Sequence, residues 1–135
     1  MLVQPYLCFE GRCDEALAFY KTALGAQQGM LMRFKDNPDK NMPCPATNLE
    51  KVMHAQFTVG ESTLFASDGR CSGKPNFDGI MLSITFKTEA EAEQKFNALS
   101  AGGALIMPLT KTFFSPKFGM TKDKFGVHWM VLVEA

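Results

Sequence analysis

The chain has 135 residues, of which 46% are hydrophobic and 11% aromatic, and its 14 basic and 14 acidic side chains give a net charge of zero. This length and hydrophobic content are typical of one folded domain and argue against disorder. Nucleic acid and anionic membranes are bound through clusters of positive charge, so the charge balance indicates neither as a partner.

The first half of the chain begins with an apolar, β-favouring segment, 3–9, followed by a helical segment, 14–24. Acidic residues open the helical segment, where they stabilise the positive end of the helix dipole. Gly25 follows it, where a left-handed C-cap needs no side chain. Residues at helical spacing predict one buried stripe, and they are Ala16, Leu17, Tyr20, Ala23 and Leu24.

Strand-like composition follows the first helix at 29–34, 52–59 and 62–67, with Gly60-Glu61 as a hairpin turn. The polar, proline-bearing stretch 35–48 is predicted as a loop.

The second half repeats this order of elements. A strand is predicted at 80–86, and Thr88 with Glu91 forms a capping box for a helix that ends at Gly102-Gly103. Further strands are predicted at 104–107, 117–121 and 127–133, with Phe125-Gly126 near the last turn.

The two halves match at an offset of 77 residues, which indicates an internal duplication. The matching pairs are Leu7 with Ile84, Phe9 with Phe86, Phe19 with Phe96, and Gly25 with Gly102. We therefore predict a single domain, 1–135, made of a first module at 1–68, a linker at 69–78 and a second module at 79–135. Phe19 and Phe96 are expected to be buried under the two sheets.

Several segments carry a family resemblance. They are Pro5-Tyr6-Leu7-Cys8-Phe9, Phe19-Tyr20, Leu24-Gly25, His54-Ala55-Gln56-Phe57, Ala66-Ser67-Asp68, Thr112-Phe113-Phe114, Phe118-Gly119-Met120 and Asp123-Lys124-Phe125-Gly126-Val127-His128-Trp129-Met130. Together they resemble the PhnB-like branch of the vicinal oxygen chelate superfamily, which includes glyoxalase I, extradiol dioxygenases and antibiotic-resistance proteins. The resemblance implies an α+β fold of two βαβββ modules, which form half-barrels around a shared cavity, and a homodimer.

Enzymes of this superfamily hold a divalent metal with His, Gln or Glu side chains from the first and last strands of each module. The resemblance places these positions near Pro5, at Phe65 or Ala66, near Gly79 and near Met130. None of these side chains is a good ligand for a hard divalent ion, and the Met130 thioether suits copper(I) instead. A shifted register that includes Gln4 and Asp78 gives no coherent ligand set, so we expect no metal.

No other cofactor is expected either. Members of this branch are sometimes called demethylubiquinone methyltransferases. The sequence, however, contains no glycine-rich strand-to-helix turn for a nucleotide-like cofactor.

His54 and Asp68 are the candidate catalytic residues. His54 shares a strand face with Gln56 and Thr58, at the mouth of the expected cavity, where an imidazole can act as a base or a hydrogen-bond donor. The structural alternative is an imidazole bound to the backbone. Asp68 ends the next strand, so it could pair with His54, or it could accept backbone N–H bonds at a turn.

Aromatic residues of the second half are the candidate ligand-binding residues, and they are Phe113, Phe114, Phe118 and Trp129. Aromatic walls with a few polar groups make small-molecule sites, although most aromatic residues of a small domain lie in its core. Lys111 and Lys122 could meet an anionic substrate or remain solvated. His128 alternates with Trp129 and is expected at the surface or at a dimer interface.

The N-terminal residues lack the features of a signal peptide, and no apolar run is long enough to span a bilayer. A cytoplasmic location is therefore expected. The cysteines, Cys8, Cys13, Cys44 and Cys71, include no CxxC pair and are expected to be free thiols.

The sequence thus predicts a metal-free protein that binds an apolar or aromatic small molecule. One alternative is an enzyme, which uses either a displaced metal site or His54 with Asp68. Another alternative is a dimeric interaction module without a small ligand.

Overall fold

Each half of the chain contains a strand, a helix and three further strands in the computed structural model, which describes residues 1–39 and 48–135. The first half consists of β1 (Tyr6–Cys8), α1 (Cys13–Leu24), β2 (Gln27–Arg33), β3 (Val52–Val59) and β4 (Ser62–Ser67), with a 3-10 turn at Phe34–Asp36. The second half consists of β5 (Met81–Phe86), α2 (Glu89–Ser100), β6 (Ala104–Thr110), β7 (Phe118–Lys122) and β8 (His128–Val133). The predicted α+β class and the duplicated order of elements are confirmed.

The two sheets have the same topology. Among the described residues, the strand orders are β1-β4-β3-β2 and β5-β8-β7-β6. In each sheet the first strand pairs in parallel with the last strand of its module, and the other pairings are antiparallel. The first strand therefore lies beside a strand that is distant in sequence, and this pairing brings the two ends of each module together.

The cores of the two modules form between the helix and one face of the sheet. In the first module, Tyr20 is fully buried, and its ring stacks on that of Phe57 at a centroid distance of 6.1 Å. Small side chains such as Ala16 and Ala55 let the helix approach the strands closely. In the second module, Phe96 and Leu99 of α2 are buried. Burial of these apolar groups is the main favourable term in folding.

The helices correspond at an offset of 76 residues, because α2 begins and ends 76 residues after α1. The predicted offset of 77 is therefore wrong within the helices, and Phe96 corresponds to Tyr20. Phe19 is only half-buried, so the prediction that it belongs to the core is also wrong. The helix ends explain the difference, since Gly25 directly caps α1 whereas Ala101 stands between α2 and Gly102.

The helix caps follow two different local rules. Gly25 has φ of 70°, a left-handed conformation that glycine adopts without strain. At the start of α2, the Thr88 hydroxyl accepts a hydrogen bond from Glu91 N at 3.2 Å. Both caps lie where the sequence predicted them.

Contacts divide the chain into two compact units, 1–75 and 76–135, and the boundary lies within the predicted linker 69–78. The predicted loop 35–48 lies partly outside the described residues. In the part of it that is described, Lys35 N donates to Leu49 O at 3.0 Å. No helix among residues 1–39 and 48–135 is long and apolar enough to cross a bilayer.

The two aromatic residues that the sequence offset paired should differ in their contribution to stability. We expect Phe96→Ala to lower the free energy of unfolding by about 3–5 kcal/mol, since it leaves a cavity in the core. Phe19→Ala should lower it by only about 1 kcal/mol, since half of that ring is already in water. Urea unfolding of both variants measures the difference, and equal losses would contradict the helix register.

Candidate functional site

The open face of the first sheet, which lies opposite α1, carries a cluster of three ring side chains. Tyr6 on β1, Phe65 on β4 and His54 on β3 share this face because Tyr6 is the register partner of Phe65, and Phe65 is the register partner of Gln56, two residues from His54. Neighbouring residues on these strands, Ala55 and Ala66, point to the helix and are buried. We call Tyr6, His54 and Phe65 the ring cluster.

The ring cluster combines stacking with a hydrogen bond. Tyr6 Oη and His54 Nδ1 lie 3.1 Å apart. The His54 ring stacks on the Phe65 ring at a centroid distance of 5.5 Å, and the Tyr6 ring lies 5.6 Å from His54 and 6.2 Å from Phe65. Tyr6 is 46% exposed, and His54 and Phe65 are half-buried. The cluster therefore presents aromatic surface and polar atoms together.

Partial burial raises the pKa of the Tyr6 hydroxyl above its ordinary value, and a side-chain hydrogen bond with Ser67 offsets part of that rise. Tyr6 is accordingly protonated at neutral pH. Its hydroxyl can donate to Nδ1 of His54, and the neutral imidazole then carries its proton on Nε2. This arrangement leaves Nε2–H as a donor for another molecule.

Asp68 has a structural role at the N-terminus of α1. Its Oδ1 accepts hydrogen bonds from Gly11 N at 3.0 Å and Cys13 N at 2.7 Å, and its Oδ2 accepts one from Val52 N at 2.6 Å. The carboxylate is 1% exposed. Because α1 has no side-chain cap of its own, Asp68 supplies both the acceptors and the negative charge that a helix N-terminus favours.

The predicted partnership of His54 with Asp68 does not form. Asp68 follows Ser67 at the end of β4 and turns toward α1, on the side of the sheet opposite His54. Both carboxylate oxygens accept backbone N–H bonds instead. The turn interpretation of Asp68 is thus the one that its hydrogen bonds support.

Trp129 also lies on the helix side of its sheet. It is 2% exposed, and its indole Nε1 donates to Asp123 Oδ2 at 2.8 Å. Asp123 Oδ1 accepts from Phe125 N and Val127 N. Trp129 therefore belongs to the core, and we leave it out of the candidate site.

The other three candidate ligand-binding residues lie close together. The rings of Phe113 and Phe114 meet edge to face at a centroid distance of 5.1 Å, and those of Phe114 and Phe118 at 5.0 Å. Phe113 is fully exposed, whereas Phe118 is buried. The loop that carries them is held by Ser115, whose hydroxyl lies 2.7 Å from both Lys117 O and Val133 O.

The positions that the family resemblance assigns to metal ligands do not form a divalent site. Phe65 belongs to the ring cluster, Met130 lies on the open face of the second sheet, and Pro5 and Gly79 offer no side-chain donor. Within residues 1–39 and 48–135, no group of three or more His, Cys, Asp or Glu side chains is placed to hold an ion. The donor chemistry at these positions thus does not fit the superfamily's metal.

The cysteines that the structure describes, Cys8, Cys13 and Cys71, are free thiols, and Cys44 lies outside the described residues. Cys8 is exposed on β1. Cys13 is buried at the start of α1, and burial raises the pKa of its thiol, with a further rise from the Asp68 carboxylate. Cys13 is therefore protonated and is no nucleophile.

Sequence reasoning identified His54 but not its partners. The alternation of buried and open positions along β3 indicated the face of His54. Tyr6 and Phe65 were not singled out, because their proximity depends on the parallel pairing of β1 with β4. The available signal was an aromatic residue at an open-face position in each strand.

The family model for 3-demethylubiquinone-9 3-methyltransferase matches residues 2–132 of this chain. Protein YjdN of Escherichia coli strain K12 is 33% identical over 140 residues, which cover 98% of this chain and 95% of YjdN. The crystal structure of protein PA1353 from Pseudomonas aeruginosa has a TM-score of 0.86 and 39% identity, with coverage of 99% and 98%. The PhnB protein from Bacillus cereus has a TM-score of 0.81 and 30% identity, with coverage of 98% and 99%.

A more distant structure shows the fold alone. The glyoxylase/bleomycin resistance protein/dioxygenase domain from Frankia sp. EAN1pec covers 100% of this chain and 92% of its own, with a TM-score of 0.65 and 15% identity.

Removal of the Asp68 carboxylate should destabilise the first module. We expect Asp68→Ala to lower the free energy of unfolding by about 3 kcal/mol, because it leaves buried backbone N–H groups without acceptors. The exposed Asp78 provides the matched control, and Asp78→Ala should change stability by less than about 0.5 kcal/mol. Urea unfolding measures both, and a near-neutral Asp68→Ala would contradict the structural role.

Proposed function

The chain belongs to the PhnB-like family that the 3-demethylubiquinone-9 3-methyltransferase model describes, within the vicinal oxygen chelate superfamily, and from this premise we propose that it is a metal-free protein that binds an aromatic small molecule. The observation that carries the proposal is the ring cluster of Tyr6, His54 and Phe65. Its open rings offer a stacking surface, and its hydrogen-bonded imidazole offers a donor to a polar group of the ligand.

The chemistry of the ring cluster favours a planar ligand. Offset or edge-to-face contacts between aromatic rings contribute about 0.5–1.5 kcal/mol beyond the area that they bury. A ligand with one polar substituent could stack on the cluster and accept a hydrogen bond from Nε2 of His54. Gln56, two residues from His54 on the same face and half-buried, adds an amide to the same surface.

The exposed phenylalanines provide further support for a ligand of this kind. Phe113 and Phe114 present large apolar surface to solvent, and Phe118 and Ser115 hold their loop in place. Exposed apolar surface of this size carries a cost in water unless a ligand or partner covers it. We include Phe113, Phe114 and Phe118 in the proposed ligand-binding set.

The proposal also includes a homodimer and a cytoplasmic location. Exposed apolar residues on the edge strand β6, Leu105 and Ile106, support an interface with a second copy. The free thiols of Cys8, Cys13 and Cys71 support a reducing compartment.

A second candidate function is an enzyme in which His54 transfers a proton. The Tyr6–His54 hydrogen bond favours it, because a fixed tautomer is what a general base or acid needs. In this function a His54→Ala variant would lose turnover of an identified substrate by about 10²-fold or more. Full turnover in that variant would remove the histidine mechanism, and stoichiometric zinc, manganese or iron in purified protein would instead support a displaced metal site.

Binding of 2-naphthol to EDTA-treated protein tests the proposed function. We expect calorimetric titration to show binding without added metal, and we expect Tyr6→Ala and Phe65→Ala to weaken it about tenfold through loss of stacking. Phe19→Ala is the matched control, since Phe19 lies on α1 and should leave the dissociation constant within about twofold.

Two results would contradict the proposal. One is binding that occurs only after a divalent metal is restored. The other is equal affinity in wild-type, Tyr6→Ala and Phe65→Ala proteins.

A further inference from the structure

We infer that the open face of the second sheet is a separate site for an amphipathic anion, with Lys122 and His128 at the anionic head and Met120 and Met130 against the apolar body. Register assigns these residues to one patch. Lys122 pairs with His128 and Met120 pairs with Met130 across β7 and β8. Side chains directly opposite each other in an antiparallel pair have Cβ atoms about 4.5–5.5 Å apart.

The face is identified by what lies on its other side. Gly119 packs against the Phe96 ring, and Val131 is fully buried under α2. Lys122, Met120, His128 and Met130 alternate with these positions, so they point away from the helix. All four are half-buried, which makes them neither core nor fully solvated side chains.

The electrostatics of this patch are incomplete. Over residues 1–39 and 48–135, neither Lys122 nor His128 has a side-chain hydrogen bond or an ion pair. The strands β5, β7 and β8 contain no Asp or Glu. Asp123, next to Lys122 in sequence, directs its carboxylate to Trp129 and to backbone N–H groups. A half-buried ammonium without an acidic partner is stabilised by an anion that arrives with a ligand.

The apolar part of the patch gives the ligand its second feature. Beyond the Lys122–His128 pair, the rows Met120–Met130 and Phe118–Leu132 follow in register. Four residues along a strand span about 13 Å. Methionine side chains adapt to ligands of varied shape. The patch therefore fits a carboxylate or phosphate group on a short aliphatic or aromatic body.

Methionine-methyl NMR tests this inference with three probes of equal chain length: octanoate, octyl phosphate and octan-1-ol. We expect the methyl signals of Met120 and Met130 to shift with either anion, while that of Met30 on β2 stays unchanged. Octan-1-ol should bind at least tenfold more weakly. Tighter binding of octanoate assigns a carboxylate head, and tighter binding of octyl phosphate assigns a phosphate head.

Charge-removing variants separate the proposed site from a general effect of charge. Lys122→Met keeps the length of the side chain and should weaken binding of the anions at least tenfold. His128→Gln should weaken it about threefold. Lys95→Met removes the same charge from α2, on the other side of the sheet, and should leave binding within twofold. Thermal unfolding of each variant establishes that it is folded.

The inference is overturned if neither anion shifts Met120 and Met130, if octan-1-ol binds as tightly as the anions, or if Lys122→Met and Lys95→Met have equal effects. None of these outcomes depends on the ring cluster. The 2-naphthol titration with the Tyr6 and Phe65 variants can therefore fail while this site stands, and the reverse also holds.

Discussion

Each module depends on the two-residue period of its strands, because this period gives every strand one face for the helix and one open face. Ala55 and Phe57 pack toward α1, whereas His54 and Gln56 point away from it. The second module repeats the division, with Trp129 on the helix side of β8. The face on which a residue lies therefore decides whether it can contact a ligand at all.

Buried aspartates consume the polar capacity of the helix side. Asp68 accepts three backbone N–H bonds and fixes the start of α1, and Asp123 holds the β7–β8 turn and the Trp129 indole. A carboxylate that is satisfied in this way has no acceptor to spare for a substrate. On the open faces, in contrast, the Tyr6–His54 pair, Lys122 and His128 retain donors that a ligand can use.

Local patterns were sufficient to predict the elements. The bounds of β3 and β4 agree with the sequence prediction because apolar residues alternate on both sides of Gly60-Glu61. The cap of α2 was readable because Thr88 and Glu91 have the spacing of a capping box. The offset between the modules was off by one residue in the helices, since identity of apolar and glycine positions does not reveal the extra residue before Gly102.

The sites were harder to predict because they depend on pairing between distant strands. Nothing in the local sequence of β1 fixes Tyr6 opposite Phe65, and nothing near Trp129 shows that its indole donates to Asp123. Asp68 was correctly weighed as a turn acceptor, but its bonds reach α1 and β3, 16 to 57 residues away in sequence. The alternation of a strand predicts a face, whereas side-chain partners require the register.

The division into helix-covered and open faces is tested most directly by backbone NMR of the EDTA-treated protein with 2-naphthoate, a ligand with both an aromatic body and an anionic group. The account predicts that chemical-shift changes centre on the strands β1, β3, β4, β7 and β8, with the largest changes at open-face positions. Shifts centred on α1 and α2, or no shifts at millimolar ligand, would contradict it.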